Sequence, residues 1–450
     1  MKLRNNRWLA ACAVAAAASI AVAGCSSGSS GSGTASGGST ATSTTEPSGS
    51  ATGSGNASGG TFTVTAGVLH AFTGQNAFFG LNAQNACKAA AFSINAAGGI
   101  LGNPLTCTDF DTKGDPADAV PVTNRMLVSA SHLVMVVGPD GSDIPSVLPV
   151  LEQAKVPEMN TVGDPRYDSQ TSADFWRLTP SDSTQAPALA YYTHQRGFTK
   201  IAEVFTSDLS ASTTTQPFQA SYAKLGGTIV KSVTITPDTS SYQTEVAAVL
   251  AAHPQAIVGE MDAQTAATFL SEVRQQNGSM IPVIMTQRAI QGDWEPAVGP
   301  AIGVASLGQF VTAIAPALQS SGTAFTTFST AMTAIKANPF QAKNPFVAAT
   351  YDGVTAFALA MDAAKSPDPS VYTGYVAKVT TPGTGAVVVS TYAEGVAALK
   401  AGKTIDYVGA AGAMVFNPNN TANRPYAAWT YNADKHNWIM GANLPANAGM

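Results

Sequence analysis

The sequence predicts an α/β protein with two Rossmann-like lobes, each built on a parallel central sheet, joined by three crossover strands. First, strand–helix–strand patterns follow each other twice between residues 65 and 139, which indicates a parallel sheet with helices on its faces. Second, the same order of elements restarts near residue 201. Third, residues 61–450 are too many for one ordinary domain and suit two lobes.

The first lobe is justified by apolar runs separated by turn signals. Its predicted elements are strands at 65–69, 105–109, 133–137 and 156–160, helices at about 78–94, 117–129 and 145–154, and an extended segment at 175–179. Ligands of such sheets bind at the carboxyl ends of the strands. That rule points to the loops after Leu69, Asp109 and Val137.

The second lobe repeats this order, and the remaining chain supplies the crossings. Its predicted strands are at 201–205, 229–235, 256–259 and 283–285, with helices at 185–195, 213–225, 242–252 and 263–276. Later elements are extended runs at 303–311 and 410–416, a helix at 344–364 and a terminal hairpin at 426–440. We assign 61–179 plus 312–412 to lobe 1, and 180–311 plus 413–450 to lobe 2.

The amino-terminal segment 1–24 has a basic start and a short Ala-rich apolar core, which is typical of an export signal. Small residues precede Cys25, a pattern that resembles a lipoprotein acylation site; the alternative is an ordinary secretory signal with an incidental Cys. The Ser/Gly/Thr-rich stretch to residue 60 predicts a flexible tether. We therefore expect a lipid anchor at Cys25 on the extracytoplasmic face of the cell membrane.

Charge and cysteine content narrow the function classes further. The net charge is −5 without a basic stripe, which argues against a nucleic-acid partner. Cys87 and Cys107 lie on the first helix and second strand of one βαβ unit, and in an exported protein a disulfide between them is plausible. Two buried free thiols are the alternative.

Catalytic motifs are missing from the sequence. The five histidines lack metal-binding spacing such as His-Glu-x-x-His, and no Gly-x-Ser-x-Gly elbow occurs. The run Gly402-Lys403-Thr404 lacks the earlier glycine of a phosphate loop, since that position holds Ala397. We expect a monomer that is not an enzyme, without metal or cofactor.

Several short runs, in the same order, resemble the Leu/Ile/Val-binding family of solute-binding proteins, which serve ABC importers. They are Gly67-Val68-Leu69, Thr73-Gly74, Phe79-Gly80, the run from Ile94 to Gly102, Asp111 with Asp115-Pro116, Val136 to Pro139, Arg177 to Asp182, and Ala348 to Gly353. The resemblance implies a type I periplasmic binding fold. It also implies that two lobes close around a small ligand and then dock on a permease.

The resemblance also implies ligand contacts in the first lobe. These are the Phe79 ring, the Ser142 hydroxyl with the backbone N–H groups of Gly141 and Ser142, and backbone or side-chain contacts near Val162, Gly163 and Asp164. Phe79 can alternatively be a core aromatic, and Ser142 a helix N-cap. Tyr351 is a further candidate to line the cleft from this lobe.

In the second lobe the chain departs from the family. The aromatic residues expected near Ser210 and Asp262 are absent, and the acidic partner of a ligand ammonium falls on Gln287. Glutamine cannot supply a charge-assisted bond. Asp164, Asp208, Asp262 and Glu260 are candidates to replace it, although strand-end polar residues are often solvated turns, and the neighbouring Arg288 could meet an acidic ligand.

The sequence thus predicts an extracytoplasmic protein that captures a small polar ligand and delivers it to an ABC importer. The ligand is expected to be an amino acid, an amide or a small carboxylate. The alternative is a ligand sensor of the same fold that signals to a membrane receptor.

Overall fold

The first lobe begins with strands and helices in strict alternation. A computed structural model describes residues 62–74, 77–445 and 448. The predicted export signal, Cys25 and the tether lie outside these residues. In chain order the first elements are β1 (Val64–His70), α1 (Ala77–Ala96), β2 (Leu105–Asp111), α2 (Pro116–Ser129), β3 (Leu133–Val137), α3 (Ile144–Ala154), β4 (Glu158–Asn160) and β5 (Phe175–Arg177).

These strands form a five-stranded sheet in the order β2-β1-β3-β4-β5, and every neighbouring pair is parallel. All seven residues of β1 are buried. Such a strand is expected in the middle of a parallel sheet that helices cover on both faces. The predicted β–α order is confirmed, and the carboxyl ends of β1, β3 and β4 meet at one edge.

Two covalent or steric features hold α1 against the sheet. Cys87 in α1 and Cys107 in β2 are joined by a disulfide bond. At the end of α1, the Gly99 N–H donates to the carbonyl of Ile94 at 3.0 Å, and Gly99 has φ +77°. A Cβ on Gly99 would lie 2.2 Å from the carbonyl oxygen of Asn103, so only glycine allows this turn.

The second lobe continues the alternation. Its elements are α4 (Asp182–Gln195), β6 (Lys200–Thr206), α5 (Leu209–Lys224), β7 (Thr228–Ile235), α6 (Gln243–Ala251), β8 (Ala256–Glu260), α7 (Ala263–Asn277), β9 (Val283–Met285), α8 (Trp294–Ile302), α9 (Val304–Phe310) and β10 (Val311–Pro316). A 3-10 helix covers Gln287–Ile290 after β9, and two others cover Pro165–Tyr167 and Gln341–Lys343.

The rest of the chain crosses between lobes and ends in a hairpin. Its elements are α10 (Thr323–Ala334), α11 (Pro345–Ala364), α12 (Pro369–Val379), β11 (Val387–Val389), α13 (Tyr392–Lys400), β12 (Ile405–Gly409), β13 (Gly412–Ala413), β14 (Val415–Phe416), β15 (Ala422–Asn423), β16 (Tyr426–Asn432) and β17 (Asn437–Asn443). The predicted long helix at 344–364 and the terminal hairpin are both confirmed. None of the described helices is long and apolar enough to cross a membrane.

The second sheet has the order β17-β16-β10-β9-β8-β6-β7. The five strands from β10 to β7 in this order are parallel, and β16 and β17 add an antiparallel edge on the β10 side. The segment 303–311, predicted as an extended crossing, is instead helix α9 after Gly303, which has φ +86°. Because β10 pairs with β9 and β16, residues 312–316 belong to the second sheet rather than to lobe 1, and this crossing follows Pro316.

The carboxyl-terminal boundary between the two lobes also differs from the predicted one. Strand β13 pairs with β12 next to the first lobe, and Thr421 bridges to Arg177 at the end of β5. Residues 413–424, predicted in lobe 2, therefore lie with the first sheet. The chain returns to the second sheet at β16.

The three crossings are joined by one arginine and by backbone bonds. Arg424 Nε donates to the carbonyl of Leu178 at 3.1 Å, and its Nη1 donates to the carbonyl of Ala411 at 2.5 Å. The Ala317 N–H donates to the carbonyl of Pro425 at 2.8 Å. The three crossings are thus hydrogen-bonded to one another, and we call these linked segments the hinge.

Candidate ligand-binding site

A cavity of about 600 Å³ lies between the carboxyl ends of the two sheets. The first lobe lines it with residues that end or follow β1, β3 and β4, which include His70, Asp140 and Thr161. The second lobe lines it with residues that end or follow β6, β8 and β9, which include Asp208, Glu260 and Gln287. Parallel strands aim these side chains at one place because their carboxyl ends share a sheet edge.

Ten of the predicted ligand contacts line this cavity. They are Phe79, Gly141, Ser142, Val162, Gly163, Asp164, Asp208, Ser210, Asp262 and Gln287. Tyr351 does not line it: its ring lies 5.1 Å from that of Phe328 and its hydroxyl donates to Ser93 Oγ at 3.0 Å. Tyr351 belongs to α11, which is buried over most of its length, so its side chain packs in the core.

The turn after β3 is held by Asp140. Its Oδ1 lies 2.9 Å from His70 Nδ1, and its Oδ2 accepts from the Ala71 N–H at 3.0 Å. These bonds connect the ends of β1 and β3. The Asp140 carboxylate is therefore already paired with residues of its own lobe.

Gly141 and Ser142 follow at the start of α3, as predicted. The Ser142 hydroxyl donates to Asp143 Oδ1 at 3.3 Å, and Asp143 is fully buried. Burial raises the pKa of the Asp143 carboxyl, and the charge of Asp140 adds to the effect. The corner is thus richer in carboxylates than the start of a helix alone would suggest.

The loop after β4 contacts the second lobe through Gly163. A Cβ on Gly163 would lie 2.1 Å from Asp182 Oδ1, so the absence of a side chain makes room for that carboxylate. The Asp182 N–H also donates to the Gly163 carbonyl at 2.7 Å. The predicted backbone donor Val162 N–H is already bonded to Asn160 Oδ1 at 3.0 Å.

Asp182, at the first position of α4, was not among the predicted site residues. It lines the cavity although its side chain is almost wholly buried, and its Oδ2 accepts from Thr213 Oγ1 at 3.0 Å. Burial raises its pKa to about 8, with a further contribution from the charge of Glu260. The sequence signal was only an acidic residue in a first helical turn, which is common.

Glu260 ends β8 on the opposite wall. Its two carboxylate oxygens accept from Ser210 Oγ and from Thr286 Oγ1, each at 2.6 Å. Burial raises the pKa of Glu260, and the charge of Asp208 acts in the same direction. Both Glu260 partners are neutral hydroxyls.

Asp262 and Asp208 are the N-caps of α7 and α5. Asp262 Oδ1 accepts from the Gln264 and Thr265 N–H groups at 3.0 Å each, while its buried Oδ2 has no hydrogen-bond partner among the described residues. Asp208 Oδ1 accepts from the Ala211 N–H at 3.1 Å. Helix capping thus accounts for the role of one carboxylate oxygen in each side chain.

Arg288 is the arginine of this cavity, and it is already engaged. Its guanidinium forms two parallel bonds to Asp293, at 2.8 and 2.6 Å. Its guanidinium carbon also lies 4.8 Å from the ring centroid of Phe78 in the first lobe. Gln287 lines the cavity beside it, where the resemblance placed an acidic residue.

Metal binding has no support in the described part of the chain. No group of three or more His, Cys, Asp or Glu side chains there is arranged to hold an ion. The carboxylates of the cavity are spread over both lobes and are held by hydroxyls, backbone N–H groups or ion pairs.

Comparisons with solved structures give the fold independently. A leucine-binding protein, LivK, from Thermotoga maritima is 16% identical with a TM-score of 0.67, over 85% of this chain and 98% of that chain. The protein LivJ from Streptococcus pneumoniae, in complex with isoleucine, is 20% identical with a TM-score of 0.66, over 84% and 100%. A Bordetella pertussis type 1 periplasmic binding protein is 16% identical with a TM-score of 0.66, over 85% and 100%.

The ligands of such structures differ widely. A solute-binding protein of an ABC transporter from R. palustris, in complex with benzoate, is 14% identical with a TM-score of 0.65, over 86% and 99%. A comparison with curated proteins finds no match.

The sequence profile of the periplasmic binding protein family matches residues 63–436. With the two lobes, the parallel sheets and the cavity between them, this match shows that the chain belongs to the periplasmic binding protein family and has the type I fold.

Proposed function

We propose that this protein captures a small polar solute between its lobes and delivers it to an ABC importer. Family membership implies a binding role outside the cytoplasm. The observation that carries the proposal is the 600 Å³ cavity bounded by the strand ends of both lobes. A volume of this size suits a small molecule.

Closure of the lobes supplies the signal for delivery. Arg288, which lines the cavity, contacts Phe78 of the other lobe. Asn344 Nδ2, before α11, donates to Gln291 Oε1 of the second lobe at 2.9 Å. These contacts break if the lobes separate about the hinge, so they favour the closed form that a permease would recognise.

The anchor and tether complete the proposal. Cys25 follows a short apolar segment with small residues before it, and about 35 Ser/Gly/Thr-rich residues separate it from β1. A chain of that composition has a root-mean-square reach of roughly 30–35 Å. The lobes can then approach a membrane permease while Cys25 remains in the bilayer.

Ligand-induced compaction tests this proposal. Purified protein would be screened by thermal unfolding against amino acids, amides, amines and small carboxylates, because a ligand of the folded state raises the Tm by mass action. For each ligand that raises it, small-angle scattering should show a smaller radius of gyration. A Tm increase without compaction contradicts capture between moving lobes, and no increase in the whole screen contradicts solute binding.

A further inference from the structure

The cavity carries an excess of acidic side chains. Its lining includes eight carboxylates and, among the described residues, one arginine and one histidine. Three carboxylates lie in ion pairs of 2.9 Å or less, namely Asp140 with His70, Asp164 with Arg166 and Asp293 with Arg288. The positive side chains at this cavity are therefore already used.

Four other carboxylates have no ion pair within the described ranges: Asp182, Asp208, Glu260 and Asp262. Asp182 and Glu260 are the most buried, at 3% and 4% exposed. Asp182 Oδ1 accepts no hydrogen bond from a described residue, since the Thr213 hydroxyl bonds to Oδ2. A buried carboxylate without a countercharge is costly unless a partner arrives.

Asp182 and Glu260 are connected through the first turn of α5. Thr213 Oγ1 donates to Asp182, and Ser210 Oγ donates to Glu260. Thr213 Oγ1 also lies 2.8 Å from the carbonyl oxygen of Ser210. Asp182 and Glu260 thus line the same cavity and are held by neighbouring residues of α5. Because both are acidic, neither can neutralise the other.

We propose that the solute of this cleft is a net cation, an amine or guanidine whose positive group binds between Asp182 and Glu260. This inference rests on the proposed function, because it names the ligand class of the same cavity. It also replaces the expected acidic partner at Gln287 with two carboxylates at other positions. A cation supplies the missing countercharge and donates to Asp182 Oδ1.

The rest of the wall agrees with a cation and disfavours an anion. Arg288 is held by both oxygens of Asp293, so its positive charge is already balanced by an ion pair. At the start of α3, an anion near Ser142 would face the neighbouring Asp140, which also lines the cavity. Like charges at this range disfavour binding.

The apolar part of the wall accommodates the body of such a solute. Phe79 and Phe346 line the cavity from the first lobe, together with Val162. Aromatic faces attract ammonium and guanidinium groups as well as alkyl chains. A compact alkylamine or a guanidine on a short chain therefore matches both the charge and the lining.

The inference also predicts that a proton is released when the cation binds, which makes the affinity depend on pH. With the cleft empty, the raised pKa of Asp182, about 8, keeps the carboxyl protonated at neutral pH. The charged groups that face it are Glu260 and Asp164, which raise its pKa, and Arg177, which lowers it, while Tyr426 lies nearby. A bound cation lowers the pKa of Asp182, so a proton leaves as the cation enters, and affinity should rise from pH 6 to pH 8.

Matched ligands test the charge directly. Isothermal titration and thermal unfolding would compare 3-methylbutylamine, leucine, 4-methylpentanoate and 4-methylpentanamide, which share one alkyl skeleton and differ in charge. Putrescine, agmatine and choline extend the set of cations. We expect at least one cation to bind, more tightly at pH 8 than at pH 6, and the anion not to bind.

Variants connect the binding to the two carboxylates. Asp182→Asn and Glu260→Gln should each weaken cation binding tenfold or more, whereas Asp434→Asn, the same charge change on an exposed turn, should leave it unchanged. Binding only of leucine, the anion or the neutral amide overturns the inference and leaves the proposed function standing. Cation binding that Asp182→Asn and Glu260→Gln both leave unchanged overturns it as well. No binding of any compound, including the wider screen, overturns both.

Discussion

Asp352, in α11 near the hinge residue Arg424, and Asp182 in the cleft are both buried carboxylates, but their surroundings differ. Asp352 accepts from the N–H groups of Ala410 and Ala411, at 2.9 and 2.7 Å, and lies 3.1 Å from the Tyr407 hydroxyl. The positive charge of Arg424 also acts on it. Asp182 has one hydroxyl partner, from Thr213, and its strongest charged neighbour is Glu260.

Burial raises the pKa of both side chains, to about 6 for Asp352 and about 8 for Asp182. At Asp352, Arg424 and three hydrogen-bond donors oppose that shift, whereas at Asp182 the charge of Glu260 increases it. A buried carboxylate with a complete set of partners supports the fold, and one without them is, on our proposal, available to a ligand.

The largest expected effect comes from replacing Arg424, the positively charged residue of the hinge. Arg424→Met breaks the bonds to the Leu178 and Ala411 carbonyls and leaves Asp352 without its countercharge. We expect the free energy of unfolding to fall by about 3–5 kcal/mol, because two hydrogen bonds from a buried charged group are lost, at about 1.5–3 kcal/mol each, and the favourable charge that acts on Asp352 is removed. Urea unfolding monitored by circular dichroism measures it.

A surface pair is the control for that loss. Lys113 and Asp118 are 3.0 Å apart and mostly exposed, so Lys113→Met should cost less than about 1 kcal/mol. If the two substitutions cost the same, the hinge arginine contributes no more than a surface residue, and the comparison with the cleft fails.

The cleft carboxylate is expected to behave in the opposite way. The folded protein holds the Asp182 proton up to about pH 8, while the unfolded chain releases it near pH 4. Stability contributed at low pH is therefore lost as the pH rises from about 4 to 8. Asp182→Asn removes this loss, so the ligand-free variant should be more stable than the wild type by a few kcal/mol at pH 8, at about 1.4 kcal/mol per pKa unit.

Urea unfolding at pH 5, 7 and 8.5 measures this difference in the ligand-free protein. It should grow between pH 5 and 7 and level off above pH 8. Asp434→Asn, on an exposed turn, should show no such growth. A destabilised Asp182→Asn protein at pH 8.5 would mean that the carboxylate supports the fold as Asp352 does.

The order of strands and helices was predictable because each element carries a local signal. Apolar runs marked the parallel strands, and the family resemblance indicated ten residues that line the cavity. The segment 303–311 was wrongly predicted as extended, because α9 is a seven-residue helix after a glycine and is too short to show helical periodicity. Strand β10 was then assigned to the wrong lobe, since sheet membership depends on pairing with β9 and β16.

Asp182 and Arg424 could not be predicted from local patterns. Asp182 looks like an ordinary helix-start acid until the fold places its carboxylate beside Gly163, where a Cβ would lie 2.1 Å from Asp182 Oδ1. Arg424 looks like a surface arginine in a loop, but it is 6% exposed between three crossings. Long-range contacts determine both environments, and such contacts leave no trace in a single sequence.

A smaller effect is expected at the contact between Arg288, the arginine of the cleft, and Phe78 of the opposite lobe. Phe78→Leu removes the ring under Arg288 and retains the ion pair with Asp293. The closed form should lose about 0.5–1 kcal/mol, so ligand affinity should weaken two- to fivefold in isothermal titration while the free energy of unfolding changes less. A loss much larger than this would mean that Arg288 itself binds the ligand once Phe78 no longer holds it.

The smallest effect is expected at Ser142, on the corner where Asp140 is already paired. Ser142→Ala removes an exposed hydroxyl whose bond to Asp143 is long, at 3.3 Å, and a typical net hydrogen bond contributes about 1 kcal/mol. Affinity should therefore weaken at most about fivefold, well below the loss in Asp182→Asn, with titration of both variants against the same cation as the measurement. If Ser142→Ala has the greater effect, the ligand is held chiefly by the first lobe, and the acidic wall of the second lobe is not the main determinant of specificity.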